Sequence, residues 1–499
     1  MQLISLPFFA GFALSLAIYY LFPAKYRYLL LLTYSCIFIF LSTPVAFPFV
    51  VISSVTVWVA ARKRTKIAVV LCIVFNVLLL AVTKYYGFAI TNINRVIEIL
   101  GVSNGITMPE IIAPIGISFY TLSMTGYLLD VYWGQTEPSP SLLKTMLYIG
   151  YYPQLTSGPV TRFSDVSRSL FEGKCPTYEN VTFGAQRILW GVFKKIVIAE
   201  RAGMIVNTVY GDAATYNGFF IPVAASLFVV QLYSDFSGCM DIILGVSECY
   251  GIVLPENFRA PFLSQSVREF WQRWHITLGE WFRDYIMYPL QKSSPMSSWI
   301  INLRKKTKNK TLRNIPGYIC MLAVWLLIGI WHGGAWKYIL GMGLWFWSII
   351  VFSEITKPLM SRIKRKLKID DSSPLFKALG YVRVFILVAI GNMFFRMTSF
   401  TAVFSAVKQT FTHWNPEVLV DGSLLKLGVN GKNMVVLIIA VIIMAAVSVL
   451  GNKKSVRARL ALMHIAVRWL ILLALLWCVV VFGIYGPGYN PADFIYGGF

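Results

Sequence analysis

The chain has 499 residues, of which 57% are hydrophobic and only 13% charged, against roughly 45–50% and about 25% in soluble proteins. Lysine and arginine number 45 against 22 aspartates and glutamates, a formal charge of +23. These figures exclude a disordered chain, a collagen-like chain and a disulfide-stapled secreted domain, and the layout of the apolar residues in runs of membrane-spanning length argues for a polytopic membrane protein rather than a soluble enzyme.

Residues 4–22 form the first apolar run. Further runs follow at 27–42, 45–60 and 67–83, so the first reads as a membrane segment and not as a cleaved signal peptide. The run 111–132 comes after a more polar stretch. Residues 134–182 are mixed, with several prolines and glycines, and are expected to be re-entrant or interfacial. The run 217–245 is apolar again, whereas 255–293 is aromatic, charged and too polar to cross simply. Runs 316–332, 336–353, 380–395, 433–450 and 467–485 bring the expectation to ten to twelve spans, with no soluble domain and no internal repeat. The class is all-α, because a lipid-exposed backbone must satisfy its own hydrogen bonds.

The basic residues sit in short clusters between apolar runs, which is the pattern of cytoplasmic loops and not of a nucleic-acid surface. Arg304, Lys305, Lys306, Lys308, Lys310 and Arg313 form the densest cluster; Lys357 to Lys368 and Lys453 to Arg459 form two more. All three are expected in the cytosol. The loop 397–432, with Glu417 and Asp421, is expected outside, as are both termini. The runs 316–332 and 336–353 then make a hairpin whose turn, Trp331-His332-Gly333-Gly334-Ala335-Trp336, points away from the cytosol. Ionisable groups at such depth are rare and usually functional.

Four histidines occur. His413 falls in the expected outer loop and His464 beside a basic cluster, both solvated or interfacial positions. His275 and His332 each follow a tryptophan in aromatic surroundings, and histidine is the side chain best suited to proton transfer near neutral pH. From Glu269 to Tyr285 the residues Trp271, Trp274, His275, Leu278, Trp281, Phe282 and Tyr285 recur at helical spacing, which predicts one amphipathic helix with His275 on its apolar stripe. That helix either lies at the cytoplasmic interface or aims His275 into a protein cavity. The seven cysteines lie far apart without a C-x-x-C pair and read as small core residues. The sequence has no H-E-x-x-H, G-x-S-x-G or Walker loop, and no metal-ligand spacing, so no metal is expected.

Four blocks carry a resemblance. The first is Ala113-Pro114-Ile115-Gly116-Ile117-Ser118-Phe119-Tyr120, continuing to Tyr127-Leu128-Leu129-Asp130-Val131-Tyr132. The second is Tyr152-Pro153-Gln154-Leu155 with Gly158-Pro159-Val160-Thr161-Arg162-Phe163. The third runs from Asp235-Phe236-Ser237-Gly238 through Leu254-Pro255-Glu256-Asn257-Phe258 to Tyr285. The fourth is Trp331-His332-Gly333 with Phe394-Phe395-Arg396. On these blocks the chain resembles the membrane-bound O-acyltransferases, in their bacterial polysaccharide-modifying branch, most strongly over 110–400. The resemblance implies a single membrane-embedded domain over 1–499, with 110–400 as catalytic core, 1–109 and 401–499 as flanking helices, and a central tunnel.

It further implies a multi-pass protein of a bacterial inner membrane. This enzyme would pass an acetyl group from cytosolic acetyl-CoA to a cell-envelope polysaccharide or exopolysaccharide, often through a secreted or membrane-anchored acetyltransferase partner on the outer face. His332 matches the principal catalytic residue and His275 the histidine of the same tunnel. His332 would act as general base, worth roughly 10²–10⁴-fold, or form a short-lived acyl-histidine. His275 would orient the thioester carbonyl or stabilise developing charge. Arg268, Arg273 and Arg283 are candidate contacts for donor phosphates, or equally positive-inside anchors. One departure is Tyr288-Pro289-Leu290-Gln291-Lys292-Ser293, where the family pattern has glycines; it bears on the donor contact more than on the reaction class. The alternatives are D-alanyl transfer to teichoic acid from an acyl-carrier-protein thioester, and a flippase for a lipid-linked sugar.

Overall fold

The computed structural model describes residues 5–102, 105–108 and 113–486. Among these the regular backbone is helical, and the one β-feature is an isolated antiparallel bridge between Phe258 and Trp274. Nine helical segments among the described residues are long and apolar enough to cross a membrane. The runs expected at 27–42, 45–60, 217–245, 316–332, 336–353, 380–395, 433–450 and 467–485 each fall on one of them, and 67–83 lies within the 34-residue segment Lys66–Ile99. The chain is a multi-pass integral membrane protein, α throughout.

Two expected runs give shorter helices. Residues 4–22, of which Ile4 lies outside the described residues, give Leu6–Leu21, 16 residues with Pro7 in its first turn. Residues 111–132, of which 111 and 112 lie outside the described residues, give Ile117–Tyr132, also 16 residues. Gly116, left-handed at φ 77°, sets that helix's late start. A helix of 16 residues covers about 24 Å, short of the ~30 Å hydrocarbon core. Ile117–Tyr132 is buried on nearly every side, Ser118, Thr121, Ser123 and Asp130 included, so it is a core helix rather than a lipid-facing one. The mixed stretch 134–182 folds into the short helices Leu142–Gly150, Tyr152–Leu155 and Phe163–Glu172.

The chain forms two compact units. The first comprises Met1–Phe193, Asp235–Glu256 and His464–Phe499. Its core is rich in tyrosine: Tyr250 Oη lies 2.5 Å from Ser15 Oγ and 3.1 Å from Tyr152 Oη, and Tyr151 Oη donates to Ser247 Oγ at 3.2 Å. Buried hydroxyls must be paired, and this network does so with aromatic bodies that also fill volume. Within the same unit the helix Tyr178–Val192 crosses the second half of Phe220–Cys249 on glycines. A Cβ at Gly184 would lie 2.6 Å from Gly245 O, one at Gly245 2.7 Å from Gly184 O, and one at Gly191 2.5 Å from Gly238 O. Small residues let the two backbones touch, the usual device for helix pairs in lipid. Arg187, between Gly184 and Gly191, donates to Asp241 Oδ1 at 2.9 Å and to both carboxylate oxygens of Glu256 at 2.7 and 2.6 Å. Asp241 therefore pairs with a basic group inside the unit.

The second unit comprises Lys194–Ser234 and Asn257–Met463. It is built on the hairpin of Ile315–His332 with Lys337–Lys366, the latter opening as a wide π-helical stretch over Lys337–Gly343. Glycine again permits the approach: a Cβ at Gly329 would meet Tyr338 O at 2.6 Å, and one at Gly343 would meet Trp325 O at 2.9 Å. Trp347 Nε1 donates to Tyr318 O at 2.8 Å across the hairpin. Pro374–Arg396 packs beside it, with Trp345 Nε1 donating to Leu387 O at 3.0 Å. The second unit holds both His275 and His332.

Candidate active site

The continuous helix expected over Glu269–Tyr285 does not form. Val267–Arg273 ends, Trp274 is extended, His275 is left-handed at φ 49° and ψ 50°, and Ile276–Phe282 begins anew. The cause is an upstream segment that takes over the backbone. Arg259 N–H donates to Arg273 O at 2.9 Å and Ile276 N–H to Asn257 O at 3.0 Å, flanking the Phe258–Trp274 bridge. The first helix is well started: Ser266 Oγ accepts from Glu269 N–H at 3.1 Å, and Glu269 reaches back to Gln265 N–H at 2.9 Å, a variant of the capping box. The break leaves the expected partition of faces largely intact. Trp274, His275, Leu278, Trp281, Phe282 and Tyr285 are buried, and Glu280 and Arg283 are exposed. Left-handed backbone in a non-glycine residue is uncommon, and histidine is among the residues that tolerate it. Such conformations gather at functional sites.

Asn257 holds the break together. Its Oδ1 accepts from Thr277 N–H at 3.1 Å and Thr277 Oγ at 3.0 Å, and lies 3.3 Å from His275 Nδ1. An atom that accepts from a backbone N–H is the amide oxygen, so Nδ1 of His275 is the donor in that contact. The tautomer thereby assigned carries its lone pair on Nε2. Burial pushes the His275 pKa down to about 3, since a charged imidazolium would be stripped of water. The ring is therefore neutral at physiological pH and presents an acceptor nitrogen. The sequence showed Asn257 inside a motif but attached no role to it; the signal that reveals one is its pairing with residues eighteen and twenty positions further on.

His332 is fixed differently. It ends the helix Ile315–His332 and is 2% exposed, as is His275. The turn expected at 331–336 is where the chain reverses: Gly333 is extended, Ala335 N–H donates to Gly333 O at 2.8 Å, and Tyr338 N–H to Ala335 O at 3.0 Å. A Cβ at Gly333 would fall 2.8 Å from the Tyr338 ring. The His332 ring meets Phe395 edge to face at 5.1 Å between centroids. Phe395 is itself placed by Lys337, whose Nζ donates to Phe395 O at 3.4 Å and Met397 O at 2.9 Å, closing the end of Pro374–Arg396.

Trp331 joins the two histidines. Its ring lies 5.0 Å from that of His332 and 6.0 Å from that of His275. The result is a continuous line of rings, His275–Trp331–His332–Phe395. Apolar faces exclude water while the two imidazoles supply the polar atoms, which suits proton transfer in a dry site.

The three candidate arginines separate. Arg273 pairs with Glu269 at 2.8 Å and donates to Asn452 Oδ1 at 3.1 Å. Arg283 pairs with Asp284 at 2.8 Å and lies 3.8 Å from Glu280. Arg268 pairs more loosely with Glu354 at 3.5 Å and lines a cleft of about 310 Å³ together with Arg304, Arg313, Gln291 and Tyr318. Arg304 and Arg313 were legible only as members of a basic cluster. The structure brings them beside Arg268 because Arg313 folds back to donate to Thr307 O at 2.6 Å and Arg304 O at 3.1 Å.

Apolar spans around two buried histidines define an integral-membrane enzyme, and comparison with known proteins states which class. Residues 137–300 match the family model MBOAT, membrane-bound O-acyltransferase family. A protein of Azotobacter vinelandii named probable alginate O-acetylase AlgI is 32% identical over 399 residues, 77% of this chain and 72% of its own. The chain belongs to the membrane-bound O-acyltransferase family and is an acyltransferase. A peptidoglycan O-acetyltransferase of Helicobacter pylori is 29% identical over 298 residues, 54% of this chain and 52% of its own. A teichoic acid D-alanyltransferase of Bacillus subtilis is 29% identical over 239 residues, 46% of this chain and 56% of its own.

Proposed function

We propose that this acyltransferase moves an acetyl group from acetyl-CoA on the cytosolic side to hydroxyls of a cell-envelope polysaccharide or exopolysaccharide outside, with an extracytoplasmic acetyltransferase partner completing the transfer. The observation that carries the reading is the pair of buried histidines packed on one tryptophan. The relatives named for alginate and peptidoglycan O-acetylation supply the acceptor class.

In this reading His332 is the general base. It takes the proton of the acceptor hydroxyl as the oxygen attacks the thioester carbonyl. The C–S bond then breaks, and the imidazolium returns the proton to the leaving thiolate. His275, with its proton committed to Asn257, accepts a hydrogen bond from the acceptor or from a water and does not donate to the oxyanion. Arg268, Arg304 and Arg313 hold donor phosphates, Arg313 through the N–H groups it does not give to Thr307 O and Arg304 O; Arg273 and Arg283 are committed to carboxylates. Met321 lines that cleft and His332 ends the same helix. Eleven residues at 1.5 Å each set them ~17 Å apart, a separation suited to a donor with a long flexible arm between phosphate and thioester.

The test is release of free CoA from labelled acetyl-CoA by the purified full chain in proteoliposomes supplied with a hydroxyl-bearing polysaccharide acceptor. Wild type cleaves the thioester, and His332→Ala lowers the rate by roughly 10²–10⁴-fold. Cleavage that persists in His332→Ala removes the histidine mechanism. Because D-alanyltransferases also match this chain, the assay is repeated with a charged acyl carrier protein: turnover of that donor alone replaces acetyl-CoA with a carrier thioester. A flippase would need neither donor and would keep its function in His332→Ala.

A further inference from the structure

We propose that the second unit binds one anionic phospholipid in the groove along the helix Leu344–Lys366, a site next to the proposed donor cleft that shares Arg268 and Glu354 with it and does not require the acyl-transfer reading. The groove encloses about 1100 Å³ between that helix, Pro374–Arg396 and the start of Phe400–Thr412. That is the upper end of ordinary ligand pockets. Its lining is segregated by polarity. One end is walled by Leu344, Ile349, Leu387, Phe394 and Phe404; the other carries Arg268, Lys357, Lys364 and Arg383 with Glu354 and Asp371.

The charges at the polar end do not cancel. Glu354 is answered by Arg268 at 3.5 Å and Asp371 by Lys364 at 2.8 Å. Arg383 gives one N–H to Gln265 O at 2.8 Å, and neither it nor Lys357 has a carboxylate partner among the described residues. Two positive charges thus stand at the mouth of an apolar groove. From Leu344 to Lys357 the helix rises ~20 Å, close to one leaflet of a ~30 Å hydrocarbon core plus its headgroup layer. Lys357 also opens the basic cluster that charge bias places on the cytoplasmic side, where anionic lipids lie. Phe352 and Phe404, 68% and 51% exposed, leave the apolar wall open to acyl chains. An uncharged lipid would leave two cations unanswered, and a soluble anion would leave that wall against water. A lipid phosphate at Lys357 and Arg383, with chains toward Phe394 and Phe404, satisfies both.

The experiment is native mass spectrometry of the full chain in detergent, offered equal amounts of phosphatidylglycerol and phosphatidylcholine with identical chains. Phosphatidylglycerol is expected to be retained at least about tenfold more. Lys357→Gln and Arg383→Gln each lower its retention about fivefold, and Lys357→Arg restores it. Ser353→Trp, which places bulk in the groove, lowers retention of both lipids. Melting temperature confirms folding, since both basic side chains are exposed. Equal retention of the two lipids by wild type overturns the proposal, as does phosphatidylglycerol retention unchanged in the double variant. Full competition by glycerol phosphate at equal concentration overturns the role of the apolar wall.

Discussion

His275 and His332 share a tryptophan and a degree of burial, yet they are held by different physics. His275 is held by hydrogen bonds: its left-handed backbone, its ring and the next helix's first turn all depend on Asn257. His332 is held by fit: glycines at 329 and 333 bring Tyr338 close, and Phe395 closes over the ring. A site of the first kind is sensitive to donor and acceptor chemistry, and one of the second kind to volume. Substitutions that change only one of these properties separate the two.

The largest effect is expected from volume at the hairpin. Gly329→Ala puts a Cβ against Tyr338 O and forces the helices apart, with a cost of about 1–3 kcal/mol. Displacement of His332 by ~1 Å lowers CoA release by about 100-fold; thermal melts and the release assay on one preparation check both. A Gly329→Ala enzyme with wild-type rate would show that fit does not set the His332 position.

Next is Asn257→Ala, which removes the acceptor for three donors. At ~1 kcal/mol each, stability falls by about 2–3 kcal/mol. Loss of ring orientation lowers kcat about tenfold, the equivalent of ~1.4 kcal/mol, with KM little changed. Asn257→Asp keeps the acceptor but adds charge, raising the His275 pKa and moving the acid limb of the pH–rate profile upward. An unshifted profile would remove Asn257 from the site.

A smaller effect is the pH dependence of stability. Burial holds His275 at about 3 in the folded chain, against ~6.5 unfolded. The unfolded state then binds more protons below ~6.5, so stability is full above that pH and is lost as pH falls toward 3. At pH 5 the loss amounts to about 2 kcal/mol. Melting temperature should drop more steeply from pH 8 to pH 5 in wild type than in His275→Gln.

The smallest is Arg283→Gln. An exposed pair contributes under ~1 kcal/mol, and this arginine is already committed to Asp284. Donor KM is expected to change less than about twofold, whereas Arg268→Gln raises it several-fold. Equal effects from the two would merge what the cleft geometry separates.

Much of this molecule was readable from periodicity and charge. The spans follow from apolar run length, and the reversal at 331–336 from two glycines between two long runs. The faces of 269–285 followed too, since burial obeys the spacing of Trp274, Leu278 and Trp281 whether or not the helix is continuous. The break itself was not legible. It depends on Asn257 and Arg259, which pair with residues fourteen to twenty positions away, and helical spacing holds no record of a distant strand-like partner. Arg304 and Arg313 were hidden for the opposite reason. Local charge explained them too easily, and their approach to Arg268 is a property of the fold.

The crossing at Gly184 and Gly245 has a consequence for how the protein is made. Arg187 leaves the ribosome 69 residues before Glu256, roughly 3–14 s at ordinary synthesis rates. Until Asp241 follows, 54 residues behind it, its guanidinium lacks both carboxylates, and the glycine face beside it has nothing to lie against. The helix Tyr178–Val192 is thus committed to its final place late, when the tail of Phe220–Cys249 arrives with the acidic and the small residues together. Biosynthesis stalled between these two points should leave Arg187 open to guanidine-directed labelling, and completion of the chain should close it.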